Sequence, residues 1–195
     1  MNNENFEYRG VNHVALVCKD MAKTVEFYDG VLGMKLVKTL DLPGGSGQHF
    51  FFDAGSGTTI AFFWFPDAPA AAPGIASQNT RGKSIATAHA SMNHLAITIP
   101  LEKFDEYAER LRAKGLDIRI INHADNDHGY TEDVTEETWI RSMYFRDPDG
   151  IAMELAAYTR AFTAKDIAHQ PARFADREKY LAARASSHAM KSQED

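Results

Sequence analysis

Covalent cross-links and membrane anchors are both scarce in this chain. It holds one cysteine, Cys18, in 195 residues. A lone thiol excludes an intrachain disulfide framework and suits a reducing compartment. No apolar run approaches the ~18 residues that a membrane helix needs, so no membrane partner is expected. The opening stretch MNNENFEYRG is polar and lacks the apolar centre of a signal peptide, which points to a cytoplasmic protein. Basic charge is also in short supply. Lys and Arg number 21 against 27 Asp and Glu, a net charge of −6, so no nucleic-acid partner is expected. The hydrophobic fraction, 44%, is ample for the core of one domain.

The informative feature is a repeat. VNHVALVC (11–18) returns as MNHLAITI (92–99), with a histidine at the same place in each copy. Each copy continues into a segment of helical spacing, KDMAKTVEFYDGVLG and LEKFDEYAERLRAKG, closed by Gly33 and Gly115 as left-handed caps. Further strand-like runs follow: MKLVKTL, HFFFDAG and TTIAFFWF in one half, LDIRII, TWIRSMYF and GIAMELAAY in the other. The last pair is separated by RDPDG, a turn sequence. Each half therefore reads βαβββ. The expected fold is α+β, with the paired modules forming a curved mixed sheet around a pocket. Module one spans 9–65, a long connection 66–91, and module two 92–158. Together these make a domain over 9–158, followed by a helical tail over 159–195. The connection is rich in small residues and proline and is expected to cover the cavity mouth.

Strand parity assigns the faces. Val14, Leu16 and Cys18 should pack under the first helix, which turns His13, Ala15 and Val17 the other way. Leu95, Ile97 and Ile99 repeat this, leaving His94, Ala96 and Thr98 opposite. On the last strand Glu154 shares a face with Ala152, Ala156 and Tyr158. A carboxylate among alanines is costly to bury unless paired. Any one of these polar residues alone would read as a satisfied core or ion-pair group. Two histidines at equivalent positions and an acid on a third strand make a metal site from His13, His94 and Glu154. Matching the halves puts Ala61 where Glu154 stands, so only three protein ligands are available and positions stay open for substrate.

These residues resemble the vicinal oxygen chelate superfamily, which includes glyoxalase I, type I extradiol dioxygenases, methylmalonyl-CoA epimerase, fosfomycin-resistance transferases and bleomycin-binding proteins. The most specific stretch is SMYFRDPDGIAMEL, in which Tyr144, Asp147, Pro148, Gly150 and Glu154 are similar to the C-terminal motif of the extradiol enzymes. That resemblance implies a ring-cleaving dioxygenase acting on a catechol-like small molecule, with Fe(II), or next Mn(II), held by His13, His94 and Glu154. It implies Tyr144 as a hydrogen-bond donor and His128, or His123, as the acid/base histidine. The polar insertion YTEDVTEETWIR between these histidines and the strand of Tyr144 departs from the extradiol spacing. The alternatives on the same triad are an oxygen-independent lyase, isomerase or thiol transferase, or a small-molecule-binding resistance protein. The superfamily further implies a homodimer.

Overall fold

The computed structural model describes residues 9–72, 75–77, 86–167 and 169–183. The described residues up to 160 form one compact unit, and those from 161 to 183 form a second.

Module one runs β1 (His13–Cys18), α1 (Met21–Val25), β2 (Leu36–Asp41), β3 (Gln48–Asp53) and β4 (Thr59–Trp64). Asp20 caps α1 by accepting from the Lys23 N–H at 3.2 Å. The helix then widens into a π-turn over Glu26–Val31, closed by the Leu32 N–H donating to the Phe27 carbonyl. Gly33, at φ 73°, ends it, and Gly115, at φ 82°, ends the second helix, as the sequence led one to expect. Module two runs β5 (Leu95–Thr98), α2 (Phe104–Ala113), β6 (Arg119–Ala124), β7 (Tyr130–Thr131), β8 (Thr138–Arg146) and β9 (Ala152–Tyr158). α2 buries Phe104, Ala108 and Leu111, an i, i+4, i+7 stripe. The extra strand β7 belongs to the acidic insertion, which folds back on β6 and is tied there by Asn122 donating to the Glu132 carbonyl at 2.8 Å.

The strands form two sheets, ordered β1-β4-β3-β2 and β5-β9-β8-β6-β7. In each, the first strand runs parallel to the last and the other pairings are antiparallel. The curved mixed sheet expected from the repeat is thus divided in two, because the halves meet through side chains. One core joins Cys18, Tyr28, Phe52 and Phe62 of module one to Phe104, Met143, Phe145 and Met153 of module two. Tyr28 is fully buried, and its hydroxyl donates to Asp147 at 3.2 Å. Asp147 also accepts the backbone N–H groups of Asp149 and Ile151, so the DPDG turn is built around it. Burial pushes the Asp147 carboxyl up to about 6.

The helix side of each sheet is consumed by this core. On the histidine side the edge strands are exposed, His13, Ala15 and Val17 on β1 and Ala96 and Thr98 on β5, while Ala61, Ser142 and Glu154 on the inner strands are buried. Part of the connection is anchored beside the second sheet, where Ser77 Oγ accepts from the Ala152 N–H and donates to the Asn93 carbonyl. The rest of the expected cover, 73–74 and 78–85, lies outside the described residues.

The second unit has 3₁₀ turns at Ala164–Asp166 and Phe174–Asp176 and a helical run over 177–183. Of the tail expected to be helical over 159–195, the described residues are helical over 177–183. Among the described residues no helix is long and apolar enough to cross a membrane.

Candidate metal centre

Register defines one row of side chains across the histidine face of each sheet. In module two Arg119 pairs with Tyr144, Tyr144 with Glu154, and Glu154 with Ala96. In module one the equivalent row is Lys38, Phe51, Ala61 and Ala15. Ala61 therefore occupies the place of Glu154, and module one offers no second carboxylate there.

His94 sits one step before β5, with Nε2 2.9 Å from Glu154 Oε2. Glu154 is buried, at 4% exposure, so an unpaired carboxylate would be costly. Burial pushes its carboxyl up, but the hydrogen bond and charge of His94 outweigh this and hold it below the usual range. His94 is pushed up in turn, chiefly by the same hydrogen bond, against the opposing effect of burial. The other ring nitrogen is also fixed. Asn93 Oδ1 lies 2.8 Å from His94 Nδ1, and Asn12 Oδ1 lies 2.7 Å from His13 Nδ1. A carboxamide oxygen can only accept, so Nδ1 carries a proton here, and in His94 Nε2 carries the one donated to Glu154, the position a cation would take in its place. This is why the repeat reads Asn-His and not merely His. The asparagines were visible in the sequence, but nothing there assigned them this task.

The catalytic candidates separate. Tyr144 meets His94 edge-on, with ring centroids 5.7 Å apart, and its hydroxyl is 3.1 Å from His123 Nε2. Burial, then the Glu154 charge, pushes the Tyr144 hydroxyl up to about 12, so it remains a donor at neutral pH. Burial pushes His123 down, more than the Glu154 charge raises it. His128 lies in the exposed turn between β6 and β7, where its backbone N–H donates to Asn126. His123, not His128, is thus the histidine that touches Tyr144. The insertion pairs back on β6 and leaves His128 at the turn's tip.

His13 stands apart from the cluster. Its ring neighbours are Asn12 and Phe51, the latter at 5.8 Å between centroids. Among the described residues no three His, Cys, Asp or Glu side chains of one chain come close enough to hold a metal ion. A single chain brings together two of the three expected ligands, His94 and Glu154. A cleft lined by Lys19, Asp20, Gln48 and Trp64 lies elsewhere. Gln48 and Trp64 alternate with His49 and Phe63, so that cleft is on the other side of the sheet.

Residues 10–155 match the family model described as the glyoxalase/bleomycin resistance protein/dioxygenase superfamily. The chain belongs to this superfamily. It is 24% identical over 147 residues to the uncharacterized protein YwkD of Bacillus subtilis (strain 168), covering 75% of this chain and 95% of that one. It is 26% identical over 152 residues to the fosfomycin resistance protein FosX of Listeria innocua serovar 6a (strain ATCC BAA-680 / CLIP 11262), covering 77% and 90%. Its fold superposes on a glyoxalase/dioxygenase from Nostoc punctiforme with a TM-score of 0.52, at 23% identity, covering 82% of this chain and all of that one. Closeness to the extradiol enzymes within the superfamily is not among these findings.

Proposed function

We propose that this chain is a divalent-metal enzyme whose centre is completed between two copies. His94 and Glu154 come from one chain and His13 from the other. The observation that carries this reading is His94 Nε2 against the buried Glu154 carboxylate, with His13, the second histidine set beside an asparagine, at the matching place of module one. Those are the donors a cation such as Mn(II) or Fe(II) takes, and the lone pairs that share a proton between His94 and Glu154 are the ones it would use. The exposed histidine faces supply the reason for two copies. Among the described residues, the edge strands β1 and β5 leave their histidine sides exposed.

A cation there supplies Lewis acidity to an oxygen-bearing small molecule. The chain does the rest. Glu154 contributes charge from a dry position, Tyr144 donates a hydrogen bond to developing negative charge, and His123 passes a proton through the Tyr144 hydroxyl. These groups suit addition of water or a thiol across a polarised carbon–oxygen bond, without dioxygen. The likeness, over 77% of this chain, to a protein named for fosfomycin resistance supports that direction. Ring cleavage of a catechol by dioxygen is the second reading, favoured by Tyr144 standing directly across from Glu154. Mn(II)-loaded protein incubated with fosfomycin and other small epoxides, with and without thiol, tests the first reading by product NMR. Anaerobic product formation is expected. Oxygen uptake with catechols, and no epoxide product, would replace it with the second.

A further inference from the structure

The two modules close their first strand against their last in different ways, and the difference falls beside a candidate ligand. In module one the Thr59 N–H donates straight to the Asn12 carbonyl at 3.0 Å, so β1 is already paired with β4 at His13. The repeat matches Asn12 to Asn93 and Thr59 to Ala152, since Ala61 pairs with Ala15 as Glu154 pairs with Ala96. In module two that direct bond is replaced. The Ala152 N–H donates to Ser77 Oγ at 3.1 Å, and Ser77 Oγ donates to the Asn93 carbonyl at 3.4 Å. Pairing of β5 with β9 then begins at Leu95, one step past His94. A hydroxyl from the connection has entered the ladder at the rung beside His94.

Ser77 and Ala152 are both buried, so the backbone groups at this rung must be satisfied within the protein. A hydroxyl donates and accepts at once, and can therefore stand between a strand N–H and a facing carbonyl. It parts Asn93 from β9 by the width of an oxygen atom. The connection also reaches the Asn93 side chain, whose Nδ2 donates to Thr87 Oγ1 at 3.5 Å. That leaves Oδ1 turned to His94 Nδ1 at 2.8 Å, and His94 Nε2 lies 2.9 Å from Glu154. In module one, where the rung closes directly, Ala61 holds the place of Glu154 and gives His13 no carboxylate to reach there.

We propose that Ser77 and Thr87 are positioning residues for His94. Ser77 splays β5 from β9 at the residue before the ligand, and Thr87 turns the Asn93 carboxamide so that its oxygen holds the ring. This rests on the metal centre proposed above. It gives the connection over 66–91 a task beyond joining the modules: it sets where the module-two histidine stands.

The test uses the full chain. Wild type, Ser77→Ala, Thr87→Val and Thr87→Ser are compared for Mn(II) affinity by chelator competition and for melting temperature. The metal-free proteins are compared for the exchange rate of the His94 Nδ1–H proton by ¹⁵N-edited NMR. Ser77→Ala and Thr87→Val should each bind Mn(II) about tenfold more weakly, with an Nδ1–H that exchanges about tenfold faster. Thr87→Ser keeps the hydroxyl and should match wild type in both. Ser46→Ala, which removes a serine hydrogen bond to the Pro43 carbonyl in another loop, should also match wild type. Should Ser77→Ala fail to fold, the two Thr87 variants decide. Mn(II) affinity within about threefold of wild type in either Ser77→Ala or Thr87→Val overturns the proposal. So does weaker binding with Nδ1–H exchange unchanged, because the effect then does not run through the ring. A lowered melting temperature with both readouts at wild-type values reduces the two residues to structural supports and overturns it as well. Wild type that retains no Mn(II) instead overturns the metal centre itself, and this proposal with it.

Discussion

Asn93 Oδ1 holds His94 Nδ1 at 2.8 Å, and one module away Asn12 holds His13 in the same way at 2.7 Å. Duplication has thus preserved the orienting group together with the ligand. Replacing Asn93 with Ala frees the ring to rotate and to take the other tautomer. Asn93→Ala should lower Mn(II) affinity about 10–100-fold while leaving the fold intact, as chelator competition and circular dichroism would read. Unchanged affinity would mean that the carboxamide does not orient the ligand.

Tyr144 and His123 should act as a unit. Tyr144→Phe removes the hydroxyl proposed as the donor to substrate, and His123→Phe removes the ring 3.1 Å from it. Each should cut turnover roughly 10²–10⁴-fold on whichever epoxide or catechol proves active, with metal content unchanged. The double variant should lose little more than either single one. Multiplicative losses in single-turnover kinetics would separate the two roles. His128→Ala, by contrast, should leave turnover near wild type, because that ring stands in an exposed turn.

Asp147 gives the module interface a pH dependence. Its carboxyl is raised from 3.8 to about 6 by burial. A raised acid favours the folded state while protonated, so its contribution is full below about pH 4 and is lost as pH climbs through 6. The difference of about two pH units corresponds to roughly 3 kcal/mol. Asp147→Asn cannot ionise. Its stability relative to wild type should therefore rise between pH 4 and pH 7 and level off beyond, in paired urea melts. A difference that stays flat over that window would contradict the assignment.

Gly47 and Gly44 separate close approach from backbone freedom. A Cβ on Gly47 would lie 2.0 Å from the Trp64 carbonyl oxygen, at φ +147°, whereas one on Gly44 would meet open space at φ +68°. Gly44→Ala should cost about 1 kcal/mol, and Gly47→Ala more than about 2 kcal/mol, because the β3–β4 edge must shift. Equal thermal shifts in the two variants would show that the contact with Trp64 is easily relieved.

The repeat made much of this legible. Period-two alternation put His13, His94 and Glu154 on the faces away from the helices, and matching the halves put Ala61 in the place of Glu154, which register bears out by pairing Ala61 with Ala15 as Glu154 pairs with Ala96. The β-strands, both helices and the glycine caps follow from local pattern, which a sequence displays directly. The choice between His123 and His128 turned on how the insertion folds, and a two-strand hairpin with β7 is too short to leave a periodic signal. The distance between His13 and the other two ligands was hidden for the same reason. It depends on how whole modules pack, through Tyr28, Phe145 and Met153, and not on the pattern of any one strand.

A shared centre has a direct signature in mixed dimers. His13→Ala and Glu154→Ala chains, each with its own affinity tag, are produced together and purified through both tags. Every dimer then carries one chain of each kind. If His13 of one copy serves His94 and Glu154 of the other, both lesions fall in one site and the second site is whole. Mixed dimers should then hold about half the Mn(II) of wild type, while dimers of either variant alone hold almost none. Mixed dimers as empty as their parents would contradict a centre built from two copies.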